Sequence, residues 1–190
     1  MPFSGRAWRV FPWDRSATPG QAFSPTHVPT NQGSSRFDIR ATPVLYLSES
    51  PEHAIGEKIQ RYRGQSLKDY DLTESGHPLA LVESKVSPDI VSRIADLCDW
   101  NVLAKYRVGP DAIASRDVTR TQAIAQQLFD AGHAGLRWWS ALSGDWHSTV
   151  VFSARLSTHS LAYGVPQVLR VDHPSVIEAA SALGISLEAE

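Results

Sequence analysis

The chemistry-bearing stretch of this chain lies between residues 31 and 60, where a loop, a short apolar strand and a capped helix follow one another. The loop contributes Arg36, the strand Tyr46 and the helix Glu57. An arginine offers a planar fork of donors to phosphate or carboxylate oxygens. A tyrosine offers a ring face and a hydroxyl. A glutamate offers a negative charge that can steady a developing cation. Together they equip a site for a charged substrate that contains a ring. Taken singly, each has a plainer reading: a solvated loop cation, a core strand residue, a solvated helix acid.

The flanking pattern predicts the elements that must hold them. Trp8-Arg9-Val10-Phe11 reads as a first strand, rich in aromatic and branched residues. Residues 12–35 are rich in Pro, Ser, Thr and Gly and show no period, so they form a long loop of the kind that carries function. Val44 to Ser48 is the next strand, with Pro43 at its start where no ladder donor is needed. Ser50-Pro51 opens a helix, because serine caps and proline fits the first turn. Ala54, Ile55, Ile59 and Tyr62 give that helix its apolar stripe.

Further on, Gln65–Gly76 reads as a connection, Leu79–Val86 as a strand and Pro88–Leu97 as a short helix. Asp117 caps a longer helix that Gly132 ends. Gly135–Trp139 and Thr149–Phe152 are late strands, Leu161–Val171 holds another, and Pro174–Leu183 is a final amphipathic helix before Gly184. Strands dominate and helices interrupt them irregularly. The expectation is therefore a single α+β domain over residues 1–190 rather than a regular doubly wound sheet.

Composition excludes more than it assigns. With 18 Lys and Arg against 20 Asp and Glu, the net charge of −2 argues against a polyanion-binding surface. No run of about 20 apolar residues suggests a membrane span, and Met1-Pro-Phe-Ser-Gly-Arg-Ala-Trp lacks the apolar run of a secretory signal, so a cytoplasmic protein is expected. Cys98 stands alone in an apolar helical pattern and reads as a buried, inert thiol. The seven histidines show no metalloprotease spacing and there is no cysteine pair, so no metal site is expected. Glycine-rich phosphate loops and the G-x-S-x-G elbow are absent.

Four segments in order carry a family resemblance: Trp8-Arg9-Val10; Gly33-Ser-Ser-Arg36-Phe-Asp38; Pro43-Val-Leu-Tyr46-Leu-Ser-Glu-Ser; and Ala54-Ile-Gly-Glu57. They resemble the opening half of RES domains, the toxins of Xre–RES toxin–antitoxin modules. Gly135-Leu-Arg-Trp-Trp-Ser140 followed by Val150-Val-Phe152 looks like the family's serine segment. The match is best over residues 8–60 and fair over 130–153. Where the family has Gly-Gly, Trp and Asn, this chain has Ser34-Ser35, Phe37 and Asp38. Asp38 puts a negative charge beside the anion-binding loop, either weakening it or orienting Arg36.

The resemblance implies a fold similar to ADP-ribosyltransferases and degradation of NAD at the nicotinamide–ribose bond, by hydrolysis or phosphorolysis. It assigns Glu57, Arg36 and Ser140 to catalysis and Arg9 and Tyr46 to NAD binding. NAD is substrate, with no further cofactor. The implied partner is an Xre-type antitoxin, which would supply any DNA binding, and the assembly is a homo-oligomer or a toxin–antitoxin hetero-oligomer. Two other readings stand beside it: an ADP-ribosyltransferase acting on a macromolecule, and a catalytically inactive RES-like binding module.

Overall fold

Alternation of buried side chains sets the strands, and the longest of them organises the rest. The computed structural model describes residues 2–30 and 32–188. In chain order the strands are β1 (Arg6–Pro12), β2 (Val44–Ser48), β3 (Ser66–Leu67), β4 (Thr73–Glu74), β5 (His77–Val86), β6 (Ile94–Asp96), β7 (Gly135–Trp139), β8 (His147–Phe152), β9 (Leu161–Tyr163), β10 (Gln167–Val168) and β11 (Ser186–Leu187). The helices are α1 (Pro51–Ile59), α2 (Pro88–Ser92), α3 (Trp100–Tyr106), α4 (Pro110–Ala114), α5 (Val118–Asp130) and α6 (Pro174–Leu183).

The main sheet runs β10-β5-β1-β2-β8-β7-β6, with β4 and β9 also paired to β5. Its pairs are antiparallel except β6 with β7. β3 and β11 form a separate parallel pair. This is an α+β fold. β1 lies against β5 over its whole length, Arg6↔Lys85 to Pro12↔Leu79. Towards β2 it registers only at Trp8↔Ser48. The sheet is thus split between β1 and β2, and the split is what makes room for a cavity.

Gln32 occupies part of the edge that β2 turns to the split. Its amide donates to the Val44 carbonyl and accepts from the Val44 N–H, both at 2.7 Å, as a neighbouring strand would. Period two along β2 sends Val44 to one core, with Leu136, Val150 and Leu128, and Leu45 and Leu47 to another, with Ala7, Ile90 and Val151. A third core joins α1 and α6 to β1 and β5 through Ile55, Ile59, Val10, Leu81 and Val176.

Several elements depart from the sequence reading. Pro88–Leu97 is not one helix: α2 stops at Ser92 and Ile94–Asp96 is β6, paired with β7. The pairing available on the edge of β7 outweighs the local helical pattern. Leu161–Val171 holds two short strands rather than one, with Pro166, which has no N–H to donate, between them. Gln65–Gly76 contains β3 and β4, and α3 and α4 arise in a region without a clear period. Cys98 sits in the turn after β6, not in a helix, and is half-buried. Burial and the nearby Asp96 push its thiol up to about 12, so little thiolate exists at neutral pH.

Candidate active site

The cleft is built where β1, β2, the loop before β2 and α1 meet. Ser50 starts α1 as its N-cap, accepting the His53 N–H at 3.2 Å, with Pro51 in the first turn. The helix buries Ala54, Ile55 and Ile59 against the core, which leaves Glu57 on the flank facing the split. A cavity of about 550 Å³ opens there, within the range of small-molecule sites. Arg9, Arg36, Tyr46, Glu57 and Ser140 all line it. Trp8, Trp138 and Leu142 supply apolar wall that the sequence reading missed.

Glu57 is half-exposed and partnered on both oxygens. Oε1 lies 3.0 Å from His53 Nε2 and accepts from Ser140 Oγ at 3.4 Å, while Oε2 accepts from Gln60 Nε2 at 3.1 Å. Ser140 is held in turn: its hydroxyl accepts the Leu142 N–H at 3.1 Å and its own N–H donates to the Trp146 carbonyl at 2.7 Å. The 140–146 loop is thereby closed against α1.

Gly56 permits that closure, since a Cβ there would lie 2.8 Å from Trp146 Cζ3. Gly56→Ala is expected to displace Trp146 and with it the loop that seats Ser140. Quenching or a shift of Trp146 fluorescence relative to a Trp146→Phe control measures this, in a protein that still melts cooperatively.

Arg36 enters from the opposite wall. One Nη donates to the Ile113 carbonyl and the guanidinium lies 5.3 Å from the Phe37 ring centroid. Its Nε is buried and has no hydrogen-bond partner among the described residues. Burial lowers its pKa from the ordinary arginine value, against the attraction of Glu57 and Tyr46. It remains a cation at neutral pH, with donor capacity to spare beside an acid.

Two roles expected from the sequence are narrowed by the geometry. The Tyr46 hydroxyl is already engaged: it donates to Asp38 Oδ1 and accepts from the Phe37 N–H, each at 3.0 Å. Desolvation raises its pKa well above the ordinary tyrosine value. Its ring, set edgewise to Trp138 at 6.3 Å, is what lines the cavity. Arg9 is similarly committed. Its Nη1 donates to the carbonyls of His27 at 2.8 Å and Pro25 at 3.4 Å, so it anchors the long loop. Desolvation lowers its pKa, and Tyr163 beside it acts in the opposite direction.

Asp38 neither blocks the cleft nor orients Arg36 by direct contact. It is buried, with Oδ2 accepting the N–H groups of Gly33 and Ser35 at 2.8 Å and Oδ1 accepting from Tyr46. The carboxylate therefore ties down the loop on which Arg36 sits. Tyr46→Phe should keep the ring but cost about 1–3 kcal/mol by removing a donor from this buried carboxylate. Urea unfolding of the two proteins checks the figure.

His53 is the residue that sequence reasoning missed. It is fully buried, its ring stacked on Trp146 at 5.2 Å, with Nδ1 3.0 Å from the His147 carbonyl. Its position one helical turn before Glu57 was the available signal. Among the described residues, no group of three His, Cys, Asp or Glu side chains is placed to hold a metal ion. No helix among them is long and apolar enough to cross a membrane.

Comparison with known proteins gives a family and a fold. The family model described as RES domain matches residues 6–169. No curated protein matches the chain. Among solved structures, the chain is similar to one from the crystal structure of the M. tuberculosis MbcT–MbcA toxin–antitoxin complex. The TM-score is 0.59 at 15% identity, covering 97% of this chain and 91% of that one. At that identity the likeness is one of fold.

Proposed function

Since the chain belongs to the RES domain family, we propose that it cleaves NAD between nicotinamide and ribose and serves as the toxin of a toxin–antitoxin pair. The observation that carries the reading is the convergence of Glu57 and Arg36 on one cavity from separate elements. In the reaction the bond from the ribose anomeric carbon to the pyridinium nitrogen breaks, and its electron pair leaves with nicotinamide. Positive charge builds on the ribose, as in glycoside cleavage. The Glu57 carboxylate stabilises that charge and binds ribose hydroxyls, with Ser140 holding its Oε1. The leaving group is already cationic, so no metal and no further cofactor is required.

Arg36 is the cation for the diphosphate, through the donors it has free. Arg9 contributes mainly charge at the cavity edge, given its two carbonyl partners. The ring faces of Tyr46 and Trp8 suit a flat heterocycle. Water or inorganic phosphate then captures the ribosyl cation, giving ADP-ribose or its phosphate ester. The intact Asp38 clamp favours a working site over an inactive binding module. As in the named complex, the partner would be an antitoxin, here of Xre type, acting in the cytoplasm and supplying any DNA binding.

Incubation of the purified chain with NAD, with and without inorganic phosphate, tests this. Nicotinamide release with free ADP-ribose or its phosphate is the expected result. Label retained on protein or nucleic acid would mean transfer to a macromolecule. Absence of nicotinamide release from folded protein would mean a binding module.

A further inference from the structure

The hydrogen-bond geometry around His53 sets an oxygen against each ring nitrogen. Nδ1 faces the His147 carbonyl at 3.0 Å, and a carbonyl only accepts. That contact needs a hydrogen on Nδ1. Nε2 faces Glu57 Oε1, also at 3.0 Å. An ionised carboxylate only accepts as well. A neutral ring with its hydrogen on Nδ1 would aim a lone pair at that oxygen. Ser148 Oγ is the other neighbour of Nε2, at 3.5 Å, and is the weaker contact.

We propose that His53 carries a hydrogen on both ring nitrogens and is the positioning residue for Glu57, holding the carboxylate in the cleft through Nε2–H. The consequence for catalysis rests on the NAD-cleavage reading; the proton arrangement does not. The surroundings suit the assignment. The ring is fully buried and stacked on Trp146, so it cannot turn to find other partners. The charged groups that line the cavity with Glu57 are Arg36 from the opposite wall, Arg9 on β1 and Lys58 on the same helix. What β8 and the 140–146 loop present to the pair are the His147 carbonyl, hydroxyls and the Trp146 indole.

Loss of the Nε2 hydrogen would set a lone pair against the carboxylate and push Glu57 off its position. A displacement of about an ångström at such a group costs on the order of a hundredfold in rate.

The direct test is long-range 1H–15N spectroscopy of the whole chain with 15N-labelled histidine near neutral pH, the His53 signals being assigned from His53→Gln. Hydrogens on both ring nitrogens are expected. In Glu57→Gln, whose amide can donate to the ring, the Nε2 hydrogen should be lost. A single ring hydrogen on His53 in the wild type, with Nε2 accepting from Ser148, overturns the proposal.

The kinetic test uses His53→Gln, which keeps a neutral donor. It should lower kcat about tenfold or more and leave KM for NAD within about threefold. A KM that rises as kcat falls, or a kcat that stays at the wild-type value in folded protein, overturns the positioning role. If the wild type fails to cleave NAD, the functional reading falls and the ring spectrum alone decides this one.

Discussion

Glu57→Gln is expected to lower the rate of nicotinamide release from NAD by about a hundredfold or more while leaving the fold intact. The amide keeps the length of the side chain, and its carbonyl can still accept from Ser140 Oγ, which lies 3.4 Å from Oε1. What it loses is the negative charge aimed at the ribosyl cation. Removing one preorganised electrostatic contact of this kind typically costs about 10² to 10³ in rate. The cooperative fold should persist, because Glu57 is half-exposed and closes no core. Wild-type turnover by a folded Glu57→Gln protein would remove Glu57 from the mechanism. The result also separates the readings of the cleft, since a binding module would hold NAD equally well with either side chain and release nothing from either.

The parts of this site that were legible in the sequence are those built from local rules. Pro43 ahead of Val44–Ser48, then Ser50-Pro51, mark a strand and a capped helix within a dozen residues, and both form where expected. The spacing of Arg36, Tyr46 and Glu57 carried the family resemblance. What stayed hidden depends on partners distant in the chain. Arg9 reads as a free cation until residues 25 and 27 return across it from a loop with no period. Tyr46 reads as a free hydroxyl until Asp38 takes it. Ile94–Asp96 becomes a strand because Gly135–Arg137, about forty residues on, offers an edge.

Behind the cleft, the chain buries a cation between two acids, and this cluster carries the largest expected effect on stability. Arg137, only 3% exposed, gives Nε and Nη2 to the two oxygens of Glu49 at 2.6 and 3.0 Å. Its Nη1 reaches both oxygens of Asp96, at 3.0 and 3.2 Å. Asp96 ends β6, and Glu49 directly precedes Ser50, the cap of α1, so one guanidinium fixes β7, β6 and the entry to the helix that carries Glu57.

Arg137→Leu should therefore cost about 3 kcal/mol. Breaking a buried pair from one side leaves an uncompensated charge worth roughly 3–5 kcal/mol. The low end applies because the side chains of Glu49 and Asp96 remain 19% and 27% exposed and can recruit water. The deficit comes from two carboxylates stripped of their cation. Paired denaturant titrations of the wild type, Arg137→Leu and the triple variant Arg137→Leu/Glu49→Gln/Asp96→Asn measure it. The triple variant, which leaves no unpaired charge, should recover part of the loss. No recovery would mean that the loss is one of packing rather than of charge.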